Sequence, residues 1–167
     1  SVVWFTKDPN VVGGDLVKFD FGPMLQHGGS VVACVNWTQD AGAGVDDRLV
    51  IIGSSGDLLV YQGNDPTSPT GFSVVGVWYI GQPPVGRRCF TTTGGNVYVL
   101  TQFGVIPVSQ VVQGGLDNIL TSSTDVLQQL RKLQDTLNND FRFYLNAVGW
   151  ELLEVPANAL LIIVRPN

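Results

Sequence analysis

Gly56-Asp57-Leu58-Leu59-Val60-Tyr61 decides the fold, because variants of it stand at three places in the chain. Gly14-Asp15-Leu16-Val17-Lys18-Phe19 begins 42 residues before it, and Gly95-Asn96-Val97-Tyr98-Val99-Leu100 begins 39 residues after it. Each copy has a glycine, then Asp or Asn, then a run of strand-forming residues. Gly-Asp and Gly-Asn tolerate the positive φ of a hairpin turn, so each copy reads as a tight turn entering a strand. Another strand precedes the second and third turns: Arg48-Leu-Val-Ile-Ile52 and Arg88-Cys-Phe-Thr-Thr92. A break is expected after each turned strand, at Gly63-Asn-Asp-Pro66 and at Phe103-Gly-Val-Ile-Pro107.

Working outward, Gly71-Phe-Ser-Val-Val-Gly-Val-Trp-Tyr-Ile80 reads as a further strand of the same unit. Gly81-Gln-Pro-Pro-Val-Gly86 reads as the crossing to the next. A period near 40 with several short strands per period suits β-propeller blades, which stack because one small sheet cannot cover both of its faces. The pattern stops after residue 113. Ser122-Ser-Thr-Asp125 has the chemistry of a helix start. Val126, Leu127, Leu130, Leu133, Leu137 and Phe141 then form one apolar stripe, with Arg131, Lys132, Gln134 and Asp135 on the wet face, over about 123–143. Gly149 to Val155 and Ala159 to Val164 read as two returning strands joined at Pro156-Ala-Asn158. The expected fold is mainly β. It has about three propeller-like blades in 1–113, and one inserted amphipathic helix plus returning strands in 114–167. A closed propeller takes about four to eight blades. The missing ones are therefore expected from a longer parent chain or a neighbouring chain.

Composition narrows the function. The 167 residues carry 14% charged residues and 44% hydrophobic ones, against about 25% charged on average. The twenty glycines exceed the roughly twelve of an average chain this long. Low charge and many turns argue for a β-rich protein that hides surface against neighbours. The formal net charge is −5, and no basic run offers a nucleic-acid dock. No apolar run reaches helix-spanning length, so no membrane partner is expected. The start, Ser1-Val-Val-Trp-Phe-Thr-Lys-Asp-Pro9, lacks signal-peptide shape and an initiator Met, which suggests a processed product or an excised piece.

Chemistry-bearing residues are few. Asp46-Asp47-Arg48 is the densest charge cluster, and it reads as a turn with an Asp–Arg pair. On a strand the adjacent carboxylates would face opposite ways and could not converge. Arg87-Arg88 is a short basic pair, one arginine facing a neighbour and one facing water. Asp46, Asp47, Arg48, Arg87 and Arg88 are thus candidate subunit-contact or structural charge pairs. Asp8, Asp15, Asp20, Asp40, Asp57 and Asp65 read as turn residues that bond backbone. His27, before Gly28-Gly29, reads as a loop residue. Gly53-Ser-Ser-Gly56 lacks the Lys of a phosphate cradle. Cys34 and Cys89 read as buried structural thiols, with a disulfide left open. One histidine and two cysteines make a poor zinc set. Trp4, Trp37, Trp78 and Trp150 read as packing between blades. No catalytic, cofactor or metal residues emerge, and the chain does not read as an enzyme.

Longer motifs occur in one order: Phe21-Gly-Pro-Met24, Trp37-Thr-Gln-Asp-Ala-Gly-Ala-Gly44, Asp47-Arg-Leu-Val-Ile-Ile52, Gly56 to Pro66, Val75-Gly-Val-Trp-Tyr-Ile-Gly81, Pro84-Val-Gly-Arg-Arg-Cys-Phe90 and Leu100 to Ser109. With the closing Gly149-Trp-Glu and Asn158 to Pro166, this resembles the tail nozzle, or packaged-DNA stabilisation, proteins of short-tailed bacteriophages over about 20–167. The resemblance implies a virion structural protein: a propeller-bearing homo-oligomeric ring, often a hexamer, that extends the head–tail connector and retains or passes packaged DNA. It implies other tail and connector proteins as partners, a place in the phage tail after synthesis in the host cytoplasm, and DNA only as non-specific channel content. It also implies an N-terminal half that this sequence does not include. An acidic lumen would repel DNA phosphates, so negligible, salt-insensitive duplex binding is expected. Two other readings stand beside it. One is a tail module that binds host-surface glycan, with exposed tryptophans grouped at one end. The other is a polysaccharide hydrolase, which needs two carboxylates about 5–10 Å apart.

Overall fold

The computed structural model describes residues 1–7, 13–40, 45–63, 65–68, 70–121, 125–158 and 160–167, with the side chains of 39–40, 45–46, 115–121 and 125–130 left aside. Eleven strands and two helices are found among them: β1 (Val2–Thr6), β2 (Leu16–Asp20), β3 (Val31–Asp40), β4 (Val45–Gly53), β5 (Asp57–Gly63), β6 (Phe72–Tyr79), β7 (Phe90–Thr93), β8 (Asn96–Thr101), β9 (Gly104–Pro107), α1 (Val108–Thr121), α2 (Asp125–Tyr144), β10 (Glu151–Val155) and β11 (Leu160–Val164). The fold is mainly β. Its sheets are antiparallel and blade-like: one of four strands, β3-β4-β5-β6, one of three, β7-β8-β9, and two hairpins, β1-β2 and β10-β11.

Each repeated Gly-Asp or Gly-Asn pair stands at the start of a strand, with tight turns at Gly56 and Gly95, whereas Gly14-Asp15 ends a longer connection whose residues 8–12 lie outside those described. Gly56 takes φ +96° at the end of the β4–β5 turn, and its N–H reaches the Gly53 carbonyl at 3.1 Å. Between β7 and β8, Gly94 and Gly95 both have positive φ (+56° and +73°), the geometry of a two-residue hairpin whose twist matches its strands.

The sheets stack face on face, and period-two alternation sets which side chain goes to which layer. Val50, Ile52, Leu58 and Val60 point from β4 and β5 into one core, where they meet Val97, Val99 and Ile106 of the three-stranded sheet and Val111 of α1. Their strand neighbours Ile51, Leu59 and Tyr61 point the other way. There they meet Phe21 and Leu25, with Phe19 of the β1–β2 hairpin packed alongside. Leu100 and Val105 leave the far face of the three-stranded sheet and meet Phe141, Trp150 and Leu152, from α2 and the β10 end. The layers thus run in chain order: first hairpin, four-stranded sheet, three-stranded sheet with α1, then α2 with the last hairpin. The unbroken apolar runs Leu49–Ile52 and Leu58–Tyr61 reflect burial on both faces.

Four expectations need correction. The break at Phe103–Pro107 is a tight turn at Gln102-Phe103 followed by strand β9, buried along its length; Thr101 Oγ1 accepts the Phe103 N–H at 3.1 Å and donates to the Gly104 carbonyl at 3.2 Å. Asp46-Asp47-Arg48 lies inside β4, paired with Gln39, Thr38 and Trp37, and not in a turn. A helix, α1, precedes the expected one; its first-turn Ser109 N–H is accepted by Asn96 Oδ1 at 3.1 Å, a cap supplied from another strand. Cys34 is exposed, on the edge strand β3, and both cysteines are free.

The expected helix runs Asp125–Tyr144, with Leu133, Leu137 and Phe141 inward and Arg131, Lys132 and Asp135 exposed. Its residues 122–124, and the side chains of Val126, Leu127 and Leu130, lie outside those described, as do Asp8 and the side chain of Asp40.

The two thiols give a direct check on layer order. Burial pushes the Cys89 thiol up to about 11, and partial desolvation raises Cys34 as well. At mildly alkaline pH the native protein is expected to take one equivalent of a thiol reagent, at Cys34, and the second only after denaturation. Rapid labelling of Cys89 in the native state would contradict the packing of the third layer.

Candidate functional site

The sequence-nominated charged residues do not converge. Asp47 accepts a hydrogen bond from Thr38 Oγ1 at 2.7 Å across the β3–β4 ladder. Arg48 points to the other face, its guanidinium 5.7 Å from the Trp37 ring centre, with Nε buried and unbonded. No ion pair joins Asp47 and Arg48 among the described residues; the Asp46 side chain is not among them. Arg87 is exposed. Arg88 makes a 3.4 Å ion pair with Glu151, and its carbonyl accepts the Leu152 N–H at 2.9 Å. Arg88 therefore docks the last hairpin onto the segment that enters the three-stranded sheet.

Turn chemistry accounts for Asp20 and Asp65. The N-terminal ammonium and the Gly22 N–H hold the Asp20 carboxyl below its ordinary range, and Thr67 does the same for Asp65. Both are exposed, so water and salt screen these contacts.

Asp57 differs. It is wholly buried, and its carboxylate takes the His27 backbone N–H at 2.8 Å and meets His27 Nδ1 at 2.6 Å. The His27 ring stacks on Tyr79 with centroids 4.1 Å apart, and about half of the imidazole faces solvent. Nothing in the sequence singles out Asp57 from Asp15 in the equivalent turn, and His27 is thirty residues away; only the packing of the 25–30 loop onto the β4–β5 turn unites them. A carboxylate on Nδ1 fixes imidazole orientation, as in proton-transfer sites. Here no hydrogen bond links the other ring nitrogen to a nucleophile among the described residues. The pair acts as a clamp that holds the loop, and with it Leu25, over Ile51 and Leu59.

Two open clefts offer little for catalysis. One, of about 490 Å³, lies between the ends of the two larger sheets; Glu154 is the one carboxylate among its lining residues, and Asn36, Trp37, Thr92 and Asn96 are beside it. The other, of about 470 Å³, lies under the end of α2, lined by Gln102, Gln134, Asn138, Arg142 and Asn146 with no carboxylate. Neither carries the pair of acids that glycoside hydrolysis uses. Among the described residues no group of three or more His, Cys, Asp or Glu side chains could hold a metal, and no helix is long and apolar enough to cross a membrane.

The conspicuous surface lies at the two ends of the stack. On β1–β2 the pairs Val2–Asp20, Trp4–Lys18 and Thr6–Leu16 form the outer face; Trp4 is 60% exposed and Leu16 58%. On β10–β11 the pairs Glu151–Val164, Leu153–Ile162 and Val155–Leu160 form the outer face; Leu160 is 51% exposed and Ile162 42%. Large apolar side chains with this exposure, grouped on a sheet face, mark interaction surfaces. No family model matches the chain, and neither a curated protein nor a solved structure matches it significantly.

Proposed function

We propose that the chain is a structural component of a bacteriophage virion, part of the tail nozzle or head–tail connector assembly that extends the portal channel and retains or passes packaged DNA. The observation that carries the assembly half of this reading is the stack with an uncovered apolar sheet face at each end. A face of Trp4, Leu16 and Val2, or of Leu153, Leu160 and Ile162, loses roughly 25 cal/mol of stabilisation for each Å² left in water, so burial against other chains is favourable. Low charge supports it too, as assembly surfaces are depleted in charged residues at their centres. The nozzle half rests on the ordered motifs from Phe21 to Pro166 and on the acidic balance, which lets DNA pass without adhering. Partners on this reading are further copies in a ring and the neighbouring tail and connector proteins.

The glycan-binding alternative has less support. It needs grouped exposed tryptophans, whereas Trp37 and Trp150 are buried, Trp78 is half-buried and Trp4 stands alone in water.

Antibodies raised against the chain are expected to decorate the tail-proximal vertex of intact particles made by the host that carries the gene. Labelling confined to capsid faces, or no label on any particle, would end the virion reading. In parallel, the protein is expected to leave duplex DNA unshifted at every salt concentration. A shift that weakens steeply with salt would mean phosphate contacts and would sink the repelling-channel idea.

A further inference from the structure

We infer that the cleft under the end of α2 is a binding site for an acidic peptide segment, held extended along the helix. The inference stands apart from the virion reading and from the apolar end faces.

Spacing is the first argument. Gln134, Asn138 and Arg142 stand four apart, so they form one row along α2 beside the inward stripe of Leu133, Leu137 and Phe141. All three line the cleft of about 470 Å³, joined by Gln102 of the β8–β9 turn and by Asn146 beyond the helix end. At 1.5 Å per residue the row spans about 12 Å, in steps of about 6 Å. An extended peptide turns the same side outward every second residue, about 6.6 Å apart. The row therefore keeps step with a short extended chain. Each amide side chain offers donors and an acceptor, the complement of a peptide unit. None of the four amide side chains is hydrogen-bonded to another described residue.

Charge is the second argument, and it selects an acidic segment. Arg142 has neither an ion pair nor a hydrogen bond among the described residues. A cation in the last turn of a helix ordinarily answers free carbonyls, but here others do so. The Phe141 carbonyl accepts the Leu145 N–H at 3.1 Å, and the Tyr144 carbonyl accepts the Ala147 N–H at 2.9 Å and Trp150 Nε1 at 2.8 Å. The carboxylate closest in sequence, Asp140, is paired with Arg165 at 2.7 Å. No carboxylate is among the residues that line the cleft. A guanidinium fork without a partner suits a carboxylate, which it can hold through two parallel bonds. Phe143, 78% exposed at the same site, offers contact to an apolar residue beside that carboxylate.

Magnetic resonance titration of the isotope-labelled chain tests this with three probes: a capped hexapeptide of alternating Glu and Ala, the same peptide with Gln for Glu, and trigalacturonate. The Glu peptide is expected to move the side-chain amide signals of Gln134 and Asn138 saturably. It is expected to bind about tenfold more tightly than the Gln peptide, the size of one charge-assisted contact. Arg142→Gln is expected to lose about the same tenfold, and Asn138→Ala about threefold. Arg87→Gln, which removes an exposed arginine outside the cleft, is expected to bind as wild type does. Arg142 and Asn138 are exposed, and unchanged backbone signals away from the cleft will show that each variant keeps the fold. Equal losses for Arg142→Gln and Arg87→Gln would mean diffuse charge attraction, and the inference falls. Equal binding of the two peptides takes the carboxylate out of the contact and overturns it as well. Tighter binding of trigalacturonate than of the Glu peptide makes this a saccharide site instead. No saturable shift from the Glu peptide at millimolar concentration ends the inference outright.

Discussion

Trp150→Ala is expected to cost about 3–5 kcal/mol of folding stability, the range for deleting a large aromatic from a core. Trp150 is 1% exposed and sits where three segments meet. Its ring lies 4.9 Å from that of Phe141 on α2, and its Nε1 donates to the Tyr144 carbonyl at 2.8 Å, at the end of the same helix. The crossing segment closes the third side: a Cβ at Gly86, which has φ +83°, would stand 2.5 Å from the Trp150 carbonyl oxygen. Alanine would open a cavity and remove the indole hydrogen bond to the Tyr144 carbonyl, which keeps the Ala147 N–H at 2.9 Å. Domains of this size are stable by about 5–15 kcal/mol, so the variant should stand close to the limit of folding. Urea denaturation followed by near-ultraviolet dichroism would measure it. Hydrogen exchange should show β10–β11 opening before the four-stranded sheet, since Trp150 seats the last hairpin in the core it shares with α2 and the three-stranded sheet. A loss under about 1 kcal/mol would mean that the last hairpin is held by something other than this core.

The strands were legible because their signals are local. Gly56-Asp57 and Gly95-Asn96 carry their turn chemistry in adjacent residues, and Leu58–Tyr61 carries its burial in its own composition. The crossing at Gly81–Gly86 and the hairpin around Pro156 announce themselves through Gly and Pro for the same reason. α1 was hidden because its determinants are distant. Gly114 and Gly115 in its middle weaken helix propensity by about 1 kcal/mol each, and its cap comes from Asn96, in a turn that otherwise looks like the other two. The helix stands because Val108 and Val111 are buried against the three-stranded sheet, a tertiary contact that no window of sequence contains. β9 was misread for a related reason: Pro107 ends it and Gly104 begins it, so punctuation masked a four-residue strand.

The same division applies to the functional surface. That apolar strands exist at Val2–Phe5 and Leu160–Val164 is plain from composition. That each keeps one face in water depends on how many layers precede it, which only the stacking order reveals. Trp4 shows this: its neighbours suggest packing between blades as well as Trp37 or Trp150 do, yet it lies in the first layer, with no sheet beyond it among the described residues. The reading of tryptophan as packing material fits exposed Trp4 if another element covers that face in the assembly.

Asp57→Ala is expected to cost on the order of 2–3 kcal/mol, more than His27→Ala at about 1–2 kcal/mol, with the double variant costing less than the two together. The asymmetry follows from exposure. Asp57 is wholly buried, and both of its hydrogen bonds go to one residue, the His27 main chain and ring. Losing the carboxylate strips the loop of both. Losing the imidazole leaves the backbone N–H in place, and the half of the ring already in water contributes little. A fully buried pair broken on one side costs about 3–5 kcal/mol, and the exposed edge of His27 sets the expectation below that. Asp57→Asn should fall between the two, because it keeps an acceptor for the N–H but loses the charge. The clamp matters beyond its own energy. It holds Leu25 over Ile51 and Leu59, in the core that Phe19 of the first hairpin also joins. Loosening it should let β1–β2 tilt and weaken self-association at protein concentrations where the variant is still folded. A double-mutant cycle in urea, read beside sedimentation of the same proteins, tests both steps. Zero coupling between positions 27 and 57 would mean that the clamp is not formed in solution, and full coupling with unchanged association would separate it from the end face.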